Sequence, residues 1–256
     1  MNFSDSLKDK LNKSVGVGKD PVEKRQEEFE QDRVDLLTCL EQLETNFDCQ
    51  KAIDKCHQLL RCSSANDYLY FKGNSLPGDL FVRFCSCLKK YSIHSQQLEL
   101  IYGTVLLESN SVKKIKDGAL IIIQLSEKNY PVPHLLLQKA KYFLGSIHLD
   151  EKQPRDVRCE AAKLIIEAAD SGYSRAFYKA GQIFKDGNLN FSGPRKTMIY
   201  FILARRHTLD VTRLSDIESE IANLKKNNSN SLEEECSERA DYLEGQWKTK
   251  YTVLPP

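Results

Sequence analysis

The second half of this sequence repeats itself, and the repeat limits the possible folds more than any other feature of the chain. Identical residues recur 36 positions apart, at Ala140 and Ala176, Tyr142 and Tyr178, Gly145 and Gly181, Ile147 and Ile183, and Ala168 and Ala204. A period of this length is typical of a helix hairpin, which cannot bury its apolar faces alone and therefore stacks on its neighbours. The sequence thus predicts an all-α fold made of stacked hairpins.

Small residues at the repeated positions indicate where helices come close together. Glycine inside a helix costs about 1 kcal/mol relative to alanine, so Gly145 and Gly181 suggest close packing that offsets this cost. The large apolar residues Ile165 and Phe201 recur with the same spacing and can fill the grooves between helices. The repeat-packing residues that we predict are Ala140, Gly145, Ala168, Gly172, Ala176, Gly181 and Ala204.

One stretch carries a recognisable family pattern. Its residues are Ala168-Ala169-Asp170-Ser171-Gly172-Tyr173, followed by Ala176, Tyr178, Gly181, Phe184 and Gly187. This pattern resembles the Sel-one-like repeat, a branch of the tetratricopeptide-like helical repeats, and the fullest match covers residues 157–204. The resemblance implies an α-solenoid that binds proteins along a concave helical surface, and therefore a scaffold or adaptor.

Weaker units precede the full match and extend the resemblance over residues 115–207. Ala119 and Ile122 lie 43 positions before Ala162 and Ile165. In this earlier unit Asn129 stands where Gly172 stands in the later one.

The rest of the chain is also predicted to be helical, because no stretch shows the sustained alternation of a strand. We divide the chain into a flexible or amphipathic segment (1–24), a helical N-terminal part (25–110), the Sel-one-like repeats (111–207), C-terminal capping helices (208–250) and a tail (251–256). The part over 25–110 has no repeat pattern, and is either a set of degenerate repeats or a separate helical cap.

The N-terminal segment has an apolar residue at every fourth position, namely Phe3, Leu7, Leu11 and Val15. Lysines lie off this stripe, so the segment can form a short amphipathic helix that contacts a membrane surface. The alternative is a loose terminus that docks weakly on the body. A peripheral membrane adaptor is therefore a second functional hypothesis.

The eight cysteines raise the question of a metal or thiol chemistry. Without a secretory signal they are expected to be reduced core residues of a cytoplasmic protein. Cys85 and Cys87 are separated by one residue, whereas zinc sites usually have two or more between paired cysteines. No histidine lies in a catalytic motif. We therefore expect no enzyme activity, no metal and no cofactor, with a thiol- or metal-dependent enzyme as the remaining alternative.

The charge balance argues against a nucleic-acid partner. The net charge is only +1, and the densest basic clusters, Lys113-Lys114-Ile115-Lys116 and Arg205-Arg206-His207, are short. Such clusters suit the C-terminal ends of helices. The longest apolar run, residues 119–123, is too short to span a membrane.

A protein partner remains, of unspecified identity. Polar positions on the first helix of each repeat should face the groove, and the residues that we select there are Lys163, Glu167, Tyr200 and Arg205. Tyr200 has an equally good interpretation as a core residue, because aromatic side chains serve both cores and interfaces.

Overall fold

The structure, a computed structural model, describes residues 78–189, 191–228 and 231–251, together with Val34, Thr38 and Glu41. Within those three ranges it contains helices and no strand. The helices are α1 (Gly78–Ser92), α2 (Gln96–Leu107), α3 (Val112–Glu127), α4 (His134–His148), α5 (Arg155–Asp170), α6 (Ser174–Asp186), α7 (Pro194–His207), α8 (Val211–Asn227) and α9 (Leu232–Tyr251). The all-α prediction is thus confirmed for the described residues.

The chain divides into two compact units, Met1–Cys87 and Leu88–Pro256. In the second unit, α2 to α7 pack in chain order, each helix against the next, while α8 and α9 both pack against α7. The two closing helices that the sequence predicts are α8 and α9. Of the helical part predicted over 25–110, the structure describes residues 78–110 together with Val34, Thr38 and Glu41.

A glycine on the first helix of each hairpin allows the second helix to come close. A methyl group added to Gly145 would lie 2.7 Å from the Ala161 carbonyl oxygen and 2.8 Å from the Ile165 side chain. At the equivalent position, a methyl group on Gly181 would lie 2.7 Å from the Phe201 ring. The contact that the sequence predicts for the repeat therefore recurs between α4 and α5 and between α6 and α7.

The same contact occurs once more, between α2 and α3. A methyl group on Gly103 would lie 3.1 Å from Ile122, which occupies the position of Ile165 in the next hairpin. The 36-residue displacement does not reveal this glycine, because Gly103 precedes Gly145 by 42 positions. Residues 42–77 are not described.

The turns after α3 and α5 have one backbone geometry. At the end of α5, the Tyr173 amide donates to the Ala168 carbonyl (3.0 Å) and the Gly172 amide donates to the Ala169 carbonyl (2.9 Å). The end of α3 repeats this pattern, with Asn129 in the position of Gly172. Both residues have positive φ, 85° for Gly172 and 60° for Asn129. Asparagine tolerates this left-handed conformation better than most residues, so it can replace the glycine.

Two buried clusters hold the hairpins together. One joins α2, α3 and α4 through Leu107, Ala119, Ile122, Ala140 and Leu144. The other extends from α5 to α9, and its largest fully buried side chains are Ile165, Phe177, Met198, Phe201 and Ile202.

Replacing Gly145 with alanine should destabilise the protein. The methyl group would meet a backbone carbonyl that cannot move alone, and we expect a loss of about 1–3 kcal/mol in the free energy of unfolding, net of the gain in helix propensity. The matched control is Gly245→Ala on α9, where a methyl group has no neighbour within 4 Å. This change should raise stability by up to about 1 kcal/mol. Urea unfolding followed by circular dichroism measures both, and equal stabilisation by the two alanines would contradict the close contact.

Candidate functional site: the α6 face

Lys163 and Glu167 lie on an exposed stripe of α5, which is the second helix of its hairpin in the structure, whereas the sequence predicts them on the first helix of a repeat. Lys163 binds Glu160, with 2.6 Å between Nζ and Oε1, and Glu167 binds Lys141 of α4 at 2.8 Å. The hydrogen bond to Glu160 raises the pKa of Lys163. Both predicted residues are accessible, but each already has a partner of opposite charge on the chain's own surface.

Tyr200 belongs to the core, which is the second of its two interpretations. It is only 5% exposed, and its ring stacks on Phe184 with centroids 5.5 Å apart. Its hydroxyl donates a hydrogen bond to the Asp170 carboxylate at the end of α5. Burial, together with the negative charge of Asp170, raises the pKa of Tyr200 far above its ordinary value. Tyr200 therefore cannot reach a partner.

Arg205 joins helices of this chain to one another. Its guanidinium lies 3.2 Å from Glu233 of α9 and 3.7 Å from Glu218 of α8. Next to it, Arg206 binds Asp241 of α9 at 2.7 Å, and His207 Nε2 lies 2.9 Å from Glu244. The basic cluster at the end of α7 is therefore neutralised by the closing helices.

Two of the exposed positions of α5, Lys163 and Glu167, have covered equivalents on α7, whereas the equivalent of Glu160, Lys196, is exposed. Displacement by 36 residues takes Glu160, Lys163 and Glu167 to Lys196, Ile199 and Leu203. Leu203 is fully buried and Ile199 is partly buried in the cluster that includes α8 and α9. The sequence predicts groove residues on both α5 and α7. Because α9 packs on α7, only those on α5 remain exposed.

The predicted repeat-packing residues lie at helix contacts and turns. The alanines and glycines selected within helices are buried, and Gly172 forms the left-handed turn between α5 and α6. Gly172 also lies against Trp247 of α9, because a methyl group there would come within 3.0 Å of the indole ring.

Trp247 holds the C-terminal end of α9 against this turn. Its indole N–H donates to the Asp170 carbonyl oxygen at 2.8 Å, and its ring stacks on Phe177 with centroids 5.5 Å apart. A shallow cavity of about 770 Å³ opens beside it, lined by Asp170, Ser171, Tyr242, Gly245, Gln246, Trp247 and Thr249. The sequence pattern did not predict this contact of Trp247, although Trp247 is the only tryptophan in the chain.

Trp247→Ala should destabilise the protein by about 2 kcal/mol, roughly half the cost of removing a fully buried tryptophan, because the indole is partly exposed. Trp247→Phe should cost about 1 kcal/mol, since a ring can still stack on Phe177 but the hydrogen bond to Asp170 is lost. Tyr242→Ala, which removes a 53% exposed ring from the same helix, is the control and should change stability by less than about 0.5 kcal/mol. Urea unfolding measures all three variants. Equal effects of Trp247→Ala and Tyr242→Ala would contradict the docking of α9.

Side chains connect successive first helices along one side of the second unit. Lys139 of α4 binds Glu108 after α2, the rings of Tyr142 and Tyr173 lie 5.5 Å apart, and Lys185 of α6 binds Glu220 of α8 at 2.7 Å. The outward side of α6 on this surface carries Arg175, Lys179, Gln182 and Asp186, and we call these four residues the α6 face.

Two cations of the α6 face are not neutralised. Arg175 is exposed and Lys179 is half-buried, and neither makes a hydrogen bond or ion pair with the residues that the structure describes. Burial lowers the pKa of Lys179. Lys139 and Lys141 on α4 each bind a carboxylate instead. The α6 face therefore has positive charge to offer an anionic partner.

Lys179→Met should leave the fold intact and raise its stability slightly at pH 7. A lowered pKa in the folded state means that the charge on Lys179 opposes folding at every pH below that pKa. Methionine keeps the length of the side chain and removes this penalty. The difference in the free energy of unfolding between Lys179→Met and the wild type should narrow as the pH rises towards the ordinary pKa of lysine. The Lys179 side chain of the wild type then loses its proton. Thermal unfolding at several pH values tests this, and a destabilised variant would contradict the absence of a partner.

The described residues also bear on the metal and membrane hypotheses. Within the three described ranges, no three His, Cys, Asp or Glu side chains come together as metal ligands. Cys85, Cys87 and Cys236 are buried, and burial raises the pKa of Cys236. No helix that the structure describes combines the length and the hydrophobicity that crossing a membrane requires. The candidate membrane-contacting residues Phe3, Leu7, Leu11 and Val15 lie outside the described residues.

Comparison of the chain with family models, with curated proteins and with solved structures finds no match.

Proposed function

We propose that this chain is a non-catalytic scaffold that binds other proteins, and that its hairpins form an α-solenoid of the Sel-one-like type. The observation that carries the proposal is the repeated contact of Gly103 with Ile122, Gly145 with Ile165, and Gly181 with Phe201. Equivalent contacts give each hairpin the same internal geometry, and α3 packs on α4 and α5 on α6 between hairpins. Hairpins stacked in this way present their first helices as one extended surface.

The polar surface of the first helices supports a binding role. Packing uses the inner side of α6, where Ala176, Ala180 and Gly181 are buried, and leaves its outer side to solvent. The cavity beside Trp247 is shallow, and the carboxylate of Asp170 in its lining already accepts a hydrogen bond from Tyr200. Binding along a surface suits this arrangement better than chemistry in a pocket.

Affinity purification of the full chain, followed by lysine-directed cross-linking and mass spectrometry, tests the proposal. A saturable protein partner should form cross-links to Lys179 and Lys185 on α6. Lys163 on the exposed stripe of α5 is the internal control, because it is more accessible to the reagent than the half-buried Lys179 but lies on a second helix. Cross-links confined to Lys163, or the absence of any saturable partner, would contradict a binding surface on the first helices.

A further inference from the structure

Lys179 departs from the repeat in a way that packing does not explain. Its equivalent on α4, 36 positions earlier, is Phe143, which is partly buried against the cluster of α2, α3 and α4. At a position where one hairpin has an apolar ring, the next has an ammonium group. A half-buried charge is normally paired, because removing it from water without a partner costs free energy.

Arg175 extends this positive site by one turn. Arg175 and Lys179 are four residues apart on α6, so their backbones are separated by roughly 6 Å along the helix. The charge of Arg175 acts on the neighbouring Tyr173, whose pKa burial raises to about 12. The Tyr173 ring, which packs against Tyr142, therefore lies near Arg175 and provides an apolar neighbour at that end of the site.

The surrounding charges limit the site to the first half of α6. Towards the C-terminal end, Lys185 is bound to Glu220, and Asp186 adds negative charge. At the N-terminal end the first turn of α6 has no acidic residue. The positive end of the helix dipole therefore adds to the two cations.

From these observations we propose that Arg175 and Lys179 bind the side-chain carboxylates of an extended acidic segment of a partner protein. Alternate residues of an extended chain lie on the same side, roughly 7 Å apart, which is close to the separation of the Arg175 and Lys179 backbones along the helix. The segment therefore carries two acidic residues with one residue between them. This assignment names the partner chemistry for the scaffold function proposed above and rests on it.

Fluorescence anisotropy with the full chain tests the assignment. The probe is a fluorescein-labelled dodecapeptide in which glutamate alternates with serine, and the matched peptide has glutamine in place of glutamate. Wild-type protein should bind the glutamate peptide and not the glutamine peptide, and added salt should weaken binding. Equal binding of both peptides, or no binding of the glutamate peptide, would overturn the assignment.

Variants locate the site. Lys179→Met and Arg175→Gln should each weaken binding about tenfold, since each removes a charge-assisted hydrogen bond. Lys113→Gln is the matched control, because Lys113 is an exposed lysine on α3. It should leave binding unchanged, and equal losses in all three variants would overturn the assignment. Thermal unfolding of each variant verifies that it is folded.

Two results separate this assignment from the scaffold function. If the glutamate peptide does not bind but affinity purification yields a saturable partner cross-linked to α6, the acidic segment is wrong and the scaffold stands. If the peptide binds through Arg175 and Lys179 but no protein partner is found, the scaffold function is contradicted while the anion site is retained.

Discussion

The close approach of two helices at a glycine is the contact on which the rest of this structure depends. At Gly145 and Gly181 the absence of a side chain brings the second helix of the hairpin against the first, and Ile165 and Phe201 then fill the space beside the contact. Because this interaction uses the inner side of α4 and α6, their outer sides remain available. The same contact therefore builds the hairpin and leaves the outer side of its first helix exposed.

The 36-residue repeat made most of the described fold predictable from the sequence. The features that it did not predict were missed for physical reasons. A constant displacement of 36 residues joins α4 and α5 to α6 and α7, so their glycines align directly. Gly103 was missed because the connections between earlier hairpins are longer. The sequence located α8 and α9, but not their packing on α7, because contacts between elements far apart in the chain leave no local periodicity. This is why Tyr200 and Arg205 were selected as groove residues.

The α6 face shows what a repeat comparison can and cannot reveal. Aligning Lys179 with Phe143 exposes the departure from sequence alone, since a lysine stands 36 positions after a phenylalanine in the repeat. Whether a carboxylate neutralises that lysine depends on which side chains come near it in three dimensions. Lys139 and Lys185 look no different in the sequence, yet each is bound to a glutamate.

The closing helices have a consequence for assembly. In α5 the outer stripe carries Lys163 and Glu167, whereas the equivalent residues of α7, Ile199 and Leu203, are apolar and pack in the cluster that includes α9, whose end is anchored by Trp247. An uncovered apolar face at the end of a row of hairpins would accept a hairpin from another molecule and start a polymer. Here α8 and α9 pack on α7, so its apolar face is not open to a hairpin from another molecule.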